Sequence, residues 1–401
     1  MSEQTDQYVK EIETNHETKS VQTAAPVGTC RLTHALSVQP AAGFGVKFLR
    51  GRSRIVGERI RSEPAKQRYR GNCGYGRPHR YHPSPENLIR MYPDGSTSMI
   101  LLYTLAPDKM TAAPSQTGSA FSDDQKPFVM PEVWDLPSYG TLSGKGSLNL
   151  EAIKAADVQV ILSMGTSAIT DADITTADEL QAQLEIPVVL FSGDSEDYAQ
   201  AYRLLGKMID REEDAEALIN YTADIVKTVE SVAAQVPEED RVRLYYAEGD
   251  DGLATEPASS NRSYVFNTAG AVNVADVGAQ AGYGQSAVSM EQVLEWNPEI
   301  IITQGTTNAY ETILSDPNWA TIDAVKNGRV YKMPSLPYSW ADRPPSVNRF
   351  IGLHWMANLL YPELYDIDIV EVAIDYYKVM YHVDVSRTDM ESLLAQSIPQ
   401  E

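Results

Sequence analysis

The chain has 401 residues, 43% of them hydrophobic and 22% charged, enough apolar sequence for one large domain or two ordinary ones. With 55 acidic against 33 basic residues the net charge is -22, which repels phosphate backbones and argues against nucleic acid as a partner. The only cysteines, Cys30 and Cys73, exclude a disulfide framework and a four-thiolate zinc site, no apolar run reaches the ~18 residues of a membrane helix, and no export signal is visible.

Charge divides the sequence unevenly. Residues 1–84 carry 14 Lys/Arg and 7 Asp/Glu, whereas residues 85–401 carry 19 and 48. Arginines 50, 52, 54, 59, 61, 68, 70, 77 and 80 crowd a stretch with little apolar periodicity. The segment 1–84 is therefore expected to be a poorly structured basic arm, with a polyanion-binding tail as the functional alternative.

From residue 85 onward, short apolar runs alternate with helix-length periodic segments. Residues 88–92, 158–163, 187–192, 241–247, 299–303 and 329–333 read as strands, and 96–105, 177–184 and 290–296 as helices. This alternation predicts an α/β fold on largely parallel sheets, with ligands gathering at the C-terminal ends of the strands.

Two segments repeat each other at an offset of 140: LNLEAIKAADVQVILSMGT at 148–166 and VSMEQVLEWNPEIIITQGT at 288–306. Each reads as a helix, a strand and a Gly-Thr turn. Glu151 and Glu291 occupy the same place in the first helical turn, where the macrodipole favours an acid in any case. Between the repeats, residues 196–236 have near-helical apolar spacing with a break at 210–213, which predicts a stiff helical strut joining two lobes.

Three further motifs make the pattern specific: SMEQVLEWNP at 289–298, DPNW at 316–319 with AVKNGRVY at 324–331, and WADRPPSVNR at 340–349. With these, residues 85–401 resemble the substrate-binding proteins of ABC importers, in the class for iron complexes, haem and cobalamin whose two lobes are bridged by one long helix. The resemblance implies two Rossmann-like lobes, a first lobe at 85–193, a connecting helix at 194–237, a second lobe at 238–395 and a tail at 396–401. It further implies that Glu151 and Glu291 dock onto a membrane permease driven by an ATPase, and that the chain is monomeric, peripheral to the membrane and exported or lipid-anchored. Mature chains of that family begin with a strand that is missing before Pro85. Back-translated and read one base later, residues 73–84 can supply it, so the segment upstream is expected to be frameshifted.

The ligand is expected between the lobes. Tyr92, Ser96, Trp134, Tyr139 and Thr166 are the candidate walls from the first lobe, and Glu248, Tyr264, Thr306, Asn308, Tyr338, Trp340 and Arg343 from the second. Aromatic faces suit a flat or apolar chelate, and arginine suits carboxylate or phosphate oxygens. Arg343 can instead pair with its acidic neighbourhood, and Arg349 can be structural. Outside the basic segment the only histidines are His354 and His382, too few for a His-rich site for a bare metal, so no metal site and no intrinsic cofactor are expected. The expected cargo is a metal chelate: an iron siderophore, haem or a corrinoid. No nucleophile elbow, phosphate loop, zincin pair or C-x-x-C is present. An enzyme acting on a small molecule in the cleft is the competing reading, and a cell-surface scaffold is a third.

Overall fold

The computed structural model describes residues 87–115, 121–142, 146–280 and 284–399. The basic arm, its frameshift and both cysteines lie outside the described residues, as does Pro85.

Short apolar runs build a first sheet of β1 (Met91–Pro93), β2 (Val160–Met164) and β3 (Val188–Phe191), parallel and in that order, with Met91 opposite Val160 and Ile161 opposite Val188. A parallel sheet is covered on both faces, which is why these strands read as unbroken apolar runs. Side chains alternate between the faces: Val160, Leu162 and Met164 enter one core and Ile161 another. Around this sheet lie α1 (Ser96–Leu105), α2 (Leu150–Ala155) and α3 (Asp171–Leu184). Helix α1 is apolar on all sides and buried from Thr97 to Leu105. Helix α3 starts six residues before the stretch anticipated from its apolar spacing, because Thr170 and Asp173 cap it reciprocally.

The strut is two helices. Helix α4 (Tyr198–Ile209) ends at Asp210, whose φ of 59° is left-handed, and α5 (Glu212–Ala233) follows. The 22 residues of α5 span about 33 Å. The chain folds back at the break: Arg203 and Glu216 pair at 2.6 Å, and Gly206 lets α4 approach Ala215, where an added Cβ would lie 2.7 Å from the alanine methyl.

The second sheet has the parallel order β6–β4–β8–β9, made of β6 (Val272–Asn273), β4 (Arg243–Ala247), β8 (Ile300–Thr303) and β9 (Val330–Lys332). An antiparallel ribbon of β5 (Ala254–Thr255) and β7 (Ser286–Ala287) stands beside it. β5, β6 and β7 are two residues each, too short to carry a readable alternation. The helices of this half are α6 (Tyr264–Thr268), α7 (Met290–Trp296), α8 (Ala309–Ser315) and α9 (Asp323–Lys326), followed by α10 (Arg349–Leu360), α11 (Ile369–Tyr381) and α12 (Arg387–Leu394).

The repeat survives in the backbone. α2 leads to β2 and α7 to β8 at the same offset of 140, and the turn in each module is made by a left-handed residue, Asp157 (φ 56°) and Asn297 (φ 39°). Asp and Asn are the non-glycine residues that tolerate this conformation best.

One core serves both sheets. Leu162 of β2, Tyr246 of β4 and Ile302 of β8 enter it together, along with the inner faces of α1, α5, α10 and α11. Each sheet also has an outer core of its own, around Ile161 in the first and around Tyr245 and Ile301 in the second. The C-terminal helices reach across to the first sheet's side. The Tyr103 hydroxyl of α1 donates to the Tyr381 carbonyl of α11 at 2.6 Å, and His382 Nε2 meets the Thr104 carbonyl at 3.1 Å. This packing fixes the two lobes together far more broadly than a strut alone.

Candidate functional site

A cavity of about 590 Å³ opens between the two sheets, at the C-terminal ends of the strands. The first lobe contributes the turn from β1 into α1 (Asp94, Gly95, Ser96, Thr97), the end of β2 (Ser163 to Thr166), and Asp173 and Thr176 of α3. The second lobe contributes Arg262, Arg343, Pro344 and Pro345. Helix α1 points its N-terminus at this space, so its positive dipole end favours oxygen-bearing anions. The turn is braced from behind: Thr97 donates to the Met164 carbonyl at 2.6 Å, and Ser98 bonds the Asp94 carboxylate at 3.2 Å. Burial pushes the Asp94 carboxyl up to about 6, against the pull of the Ser163 and Ser98 hydroxyls.

The opposite wall is a buried ionic cluster. Glu248, Glu256 and Asp342 bring carboxylate oxygens within 4.8 Å of one another, and two guanidinium groups bind them. Arg262 grips both oxygens of Asp342, at 2.9 and 3.2 Å. Arg343 reaches Glu248 through Nε at 2.5 Å and Glu256 through Nη2 at 3.2 Å. Burial works against the charge of Arg343, yet its bonds to Glu248 hold its pKa above the ordinary value. Burial also pushes Glu248 up to about 7, an effect that Arg343 only partly offsets. Arg343 has a left-handed φ of 67°, a strained conformation for a residue with this side chain.

Beside the cavity a polar joint fastens the lobes. Asn261 Nδ2 donates to the Thr166 carbonyl at 3.1 Å and to Asp194 at 3.0 Å. Arg349, 1% exposed, donates to the carbonyls of Ala341 (3.0 Å) and Asn261 (2.8 Å) and to the Ser195 hydroxyl (2.6 Å), and lies 5.7 Å from the Tyr264 ring centre. It is a structural brace.

Of the residues chosen from sequence, Ser96, Thr166 and Arg343 line the cavity, and Glu248 stands directly behind Arg343. Tyr92 is wholly buried, its hydroxyl on the Gly140 carbonyl, with the Tyr139 ring tilted against it at a centre distance of 5.4 Å. Trp340 is wholly buried and bonds Tyr377 through Nε1 at 2.9 Å. Trp134 donates to the Val129 carbonyl, Tyr338 approaches Met99, and Tyr264 faces Arg349. Thr306 and Asn308 are exposed on the turn and helix start that follow β8, where the Asn308 backbone N–H bonds Asp250. Among the described residues no aromatic side chain lines the cavity. His354 bonds the Tyr365 hydroxyl at 2.6 Å, stacks on its ring, and has its pKa lowered to about 4 by burial, as a neutral packed imidazole does. Sequence reasoning passed over Arg262 and Glu256; an arginine in the polar loop SNRS at 260–263 was the available signal.

Glu151 and Glu291 are exposed in the first turns of α2 and α7. Asn149 caps one helix, and Ser289 with Gln292 caps the other. Its own backbone N–H and the Ser289 hydroxyl hold Glu291 below the ordinary carboxylate range.

Residues 168–337 match the family described as Periplasmic binding protein. An ABC transporter solute binding protein from Sulfurospirillum deleyianum is 31% identical, superimposes with a TM-score of 0.70, and is covered over 95% of its length by 78% of this chain. The chain belongs to the periplasmic binding protein family. The molybdate-binding protein MolA of Haemophilus influenzae is 31% identical to this binding protein over 184 residues, 45% of this chain and 51% of the relative. In sequence the chain thus spans about half the length of that curated relative. The solved structure of MolA bound to molybdate shares the fold, with a TM-score of 0.61 at 24% identity over 76% of this chain and 96% of the other. No helix among the described residues is long and apolar enough to cross a membrane.

Proposed function

We propose that this binding protein is the extracytoplasmic receptor of an ABC importer, that it captures an oxygen-rich anionic metal chelate between its lobes, and that it delivers this cargo to a permease powered by an ATPase. It catalyses nothing, works as a monomer, and is exported or lipid-anchored in its mature form. The observation that carries the reading is the facing of an α-helix N-terminus by two arginines of the opposite lobe across one cavity.

Volume favours a chelate over a bare oxyanion: about 590 Å³ equals roughly twenty times the share of one liquid water molecule. Polarity favours a ferric complex with carboxylate or hydroxamate oxygens over haem or a corrinoid, because among the described residues no aromatic face lines the cavity. A second reading, molybdate itself, has the Haemophilus relative in its favour. Calorimetric titration with ferric citrate, ferric hydroxamates, haem and molybdate separates these. The proposal expects stoichiometric binding of a ferric oxygen chelate without turnover. Haem binding alone, or product formation from any of them, would overturn it. Glu151 and Glu291 are the proposed contacts to the permease, at matched places in the two modules.

A further inference from the structure

We propose that Glu248 is a proton-coupled partner of the cleft arginine: when an anion draws Arg343 toward the cavity, Glu248 takes up one proton from solvent. The inference rests on the anionic-cargo reading above and deepens it.

Three buried carboxylates are paired with two guanidinium groups, an excess of one carboxylate in these contacts, while the buried Arg349 acts on Asp342 from farther off. Hydrogen bonding decides where that excess sits. Asp342 receives both of its bonds from Arg262. Glu256 accepts from Arg343, from the Ser260 hydroxyl at 2.8 Å and from the Gln285 N–H at 3.0 Å. Glu248 accepts from Arg343 through Oε1, and its buried Oε2 has no hydrogen-bond partner among the described residues. It is the least satisfied of the three, and its partner Arg343 lines the cavity beside Arg262.

An anion that engages Arg343 therefore competes with Glu248 for the same guanidinium. A buried carboxylate stripped of its cation is strongly disfavoured, and protonation relieves it. The proton comes from water or buffer, forms one O–H bond on the carboxylate, and returns to solvent on release. Glu248 is faced by Arg343, Glu256, Asp342 and the Tyr246 hydroxyl, with Arg262 behind. Asp94 and Asp173 face the cavity from the other lobe. Burial pushes both Asp94 and Glu248 up, so Asp94→Asn measured in parallel separates the two contributions.

Coupling to one proton weakens anion binding by up to about tenfold per pH unit above neutrality. Glu248→Gln imitates the protonated form. It should bind the anion about tenfold more tightly than wild type at pH 8 and remove the pH dependence, which a merely structural loss would not do.

The test is calorimetry of the whole protein with ferric citrate, and in parallel molybdate, at pH 8 in two buffers of different ionisation enthalpy, which counts protons taken up. Uptake in wild type and in Glu256→Gln but not in Glu248→Gln supports the proposal; uptake that persists in Glu248→Gln overturns it. Infrared spectra of the anion-free protein carrying carbon-13 glutamate form the second arm. A protonated glutamate band that titrates out near neutral pH and survives Glu256→Gln supports the proposal even if Glu248→Gln does not fold, and absence of that band overturns it. Should neither anion bind while the band is present, the cargo reading fails and the protonatable Glu248 stands.

Discussion

The Tyr103 hydroxyl donates to the Tyr381 carbonyl at 2.6 Å and accepts the Met130 N–H at 3.0 Å, so one phenol on α1 ties helix α11 to the first lobe. Tyr103→Phe leaves both backbone groups unpaired in a buried place. The expected cost is about 2 kcal/mol of folding stability with chelate affinity unchanged, read from urea denaturation and calorimetry.

Arg349 holds the joint by donating to Ala341, Asn261 and Ser195. Arg349→Ala should cost about 3 kcal/mol, because it strands carbonyls that had charged donors. Chelate affinity should fall as well, since Asn261 also positions the Thr166 carbonyl at the cavity wall. Unfolding curves together with titration of the same variant check both effects.

Asp94 gives a pH dependence whose sign is fixed. Its carboxyl titrates at about 6 in the folded chain against 3.8 when unfolded, so the folded state holds the extra proton in between. The associated stability is fully present below pH 3.8 and is lost as pH rises through 6, by about 3 kcal/mol. Asp94→Asn should abolish this part of the decline, seen as a smaller difference between urea midpoints at pH 4 and pH 7 than in wild type.

Glu151 and Glu291 lie on the surface, each in the first turn of its module's helix. Reversing both charges to lysine should leave chelate binding intact and abolish transport in reconstituted vesicles. Each reversal also places a cation at the positive end of a helix, a cost of about 0.5 kcal/mol that does not threaten the fold. Loss of chelate binding in the double variant would remove the docking role.

The six strands longest in apolar run were legible because parallel strands buried on both faces need continuous hydrophobic residues, as in VILSM at 160–164. The repeat was legible as a helix, a strand and a Gly-Thr turn, whereas the left-handed residue between helix and strand, Asp157 against Asn297, emerged only from the backbone. The cavity was only partly legible. Ser96 and Thr166 follow from the rule that ligands meet strand ends, whereas Tyr92 and Trp340 do not line the cavity, because an aromatic ring beside a strand end is as useful to the core as to a ligand. The abundant tyrosines went mostly inward: Tyr103, Tyr376 and Tyr381 are buried with their hydroxyls on protein acceptors. Pairings such as Arg262 with Asp342, 80 residues apart, carry no local periodicity from which they could be read.

The inner core shared by both sheets also bears on how the polypeptide could be divided. Cut between Asp210 and Arg211, the amino-terminal piece would bare the inner face of β2 and the carboxy-terminal piece those of α10 and α11, so each fragment should aggregate by itself. Co-produced, they should re-form the joined molecule, which makes this break a natural seam for a split reporter of chelate in living cells.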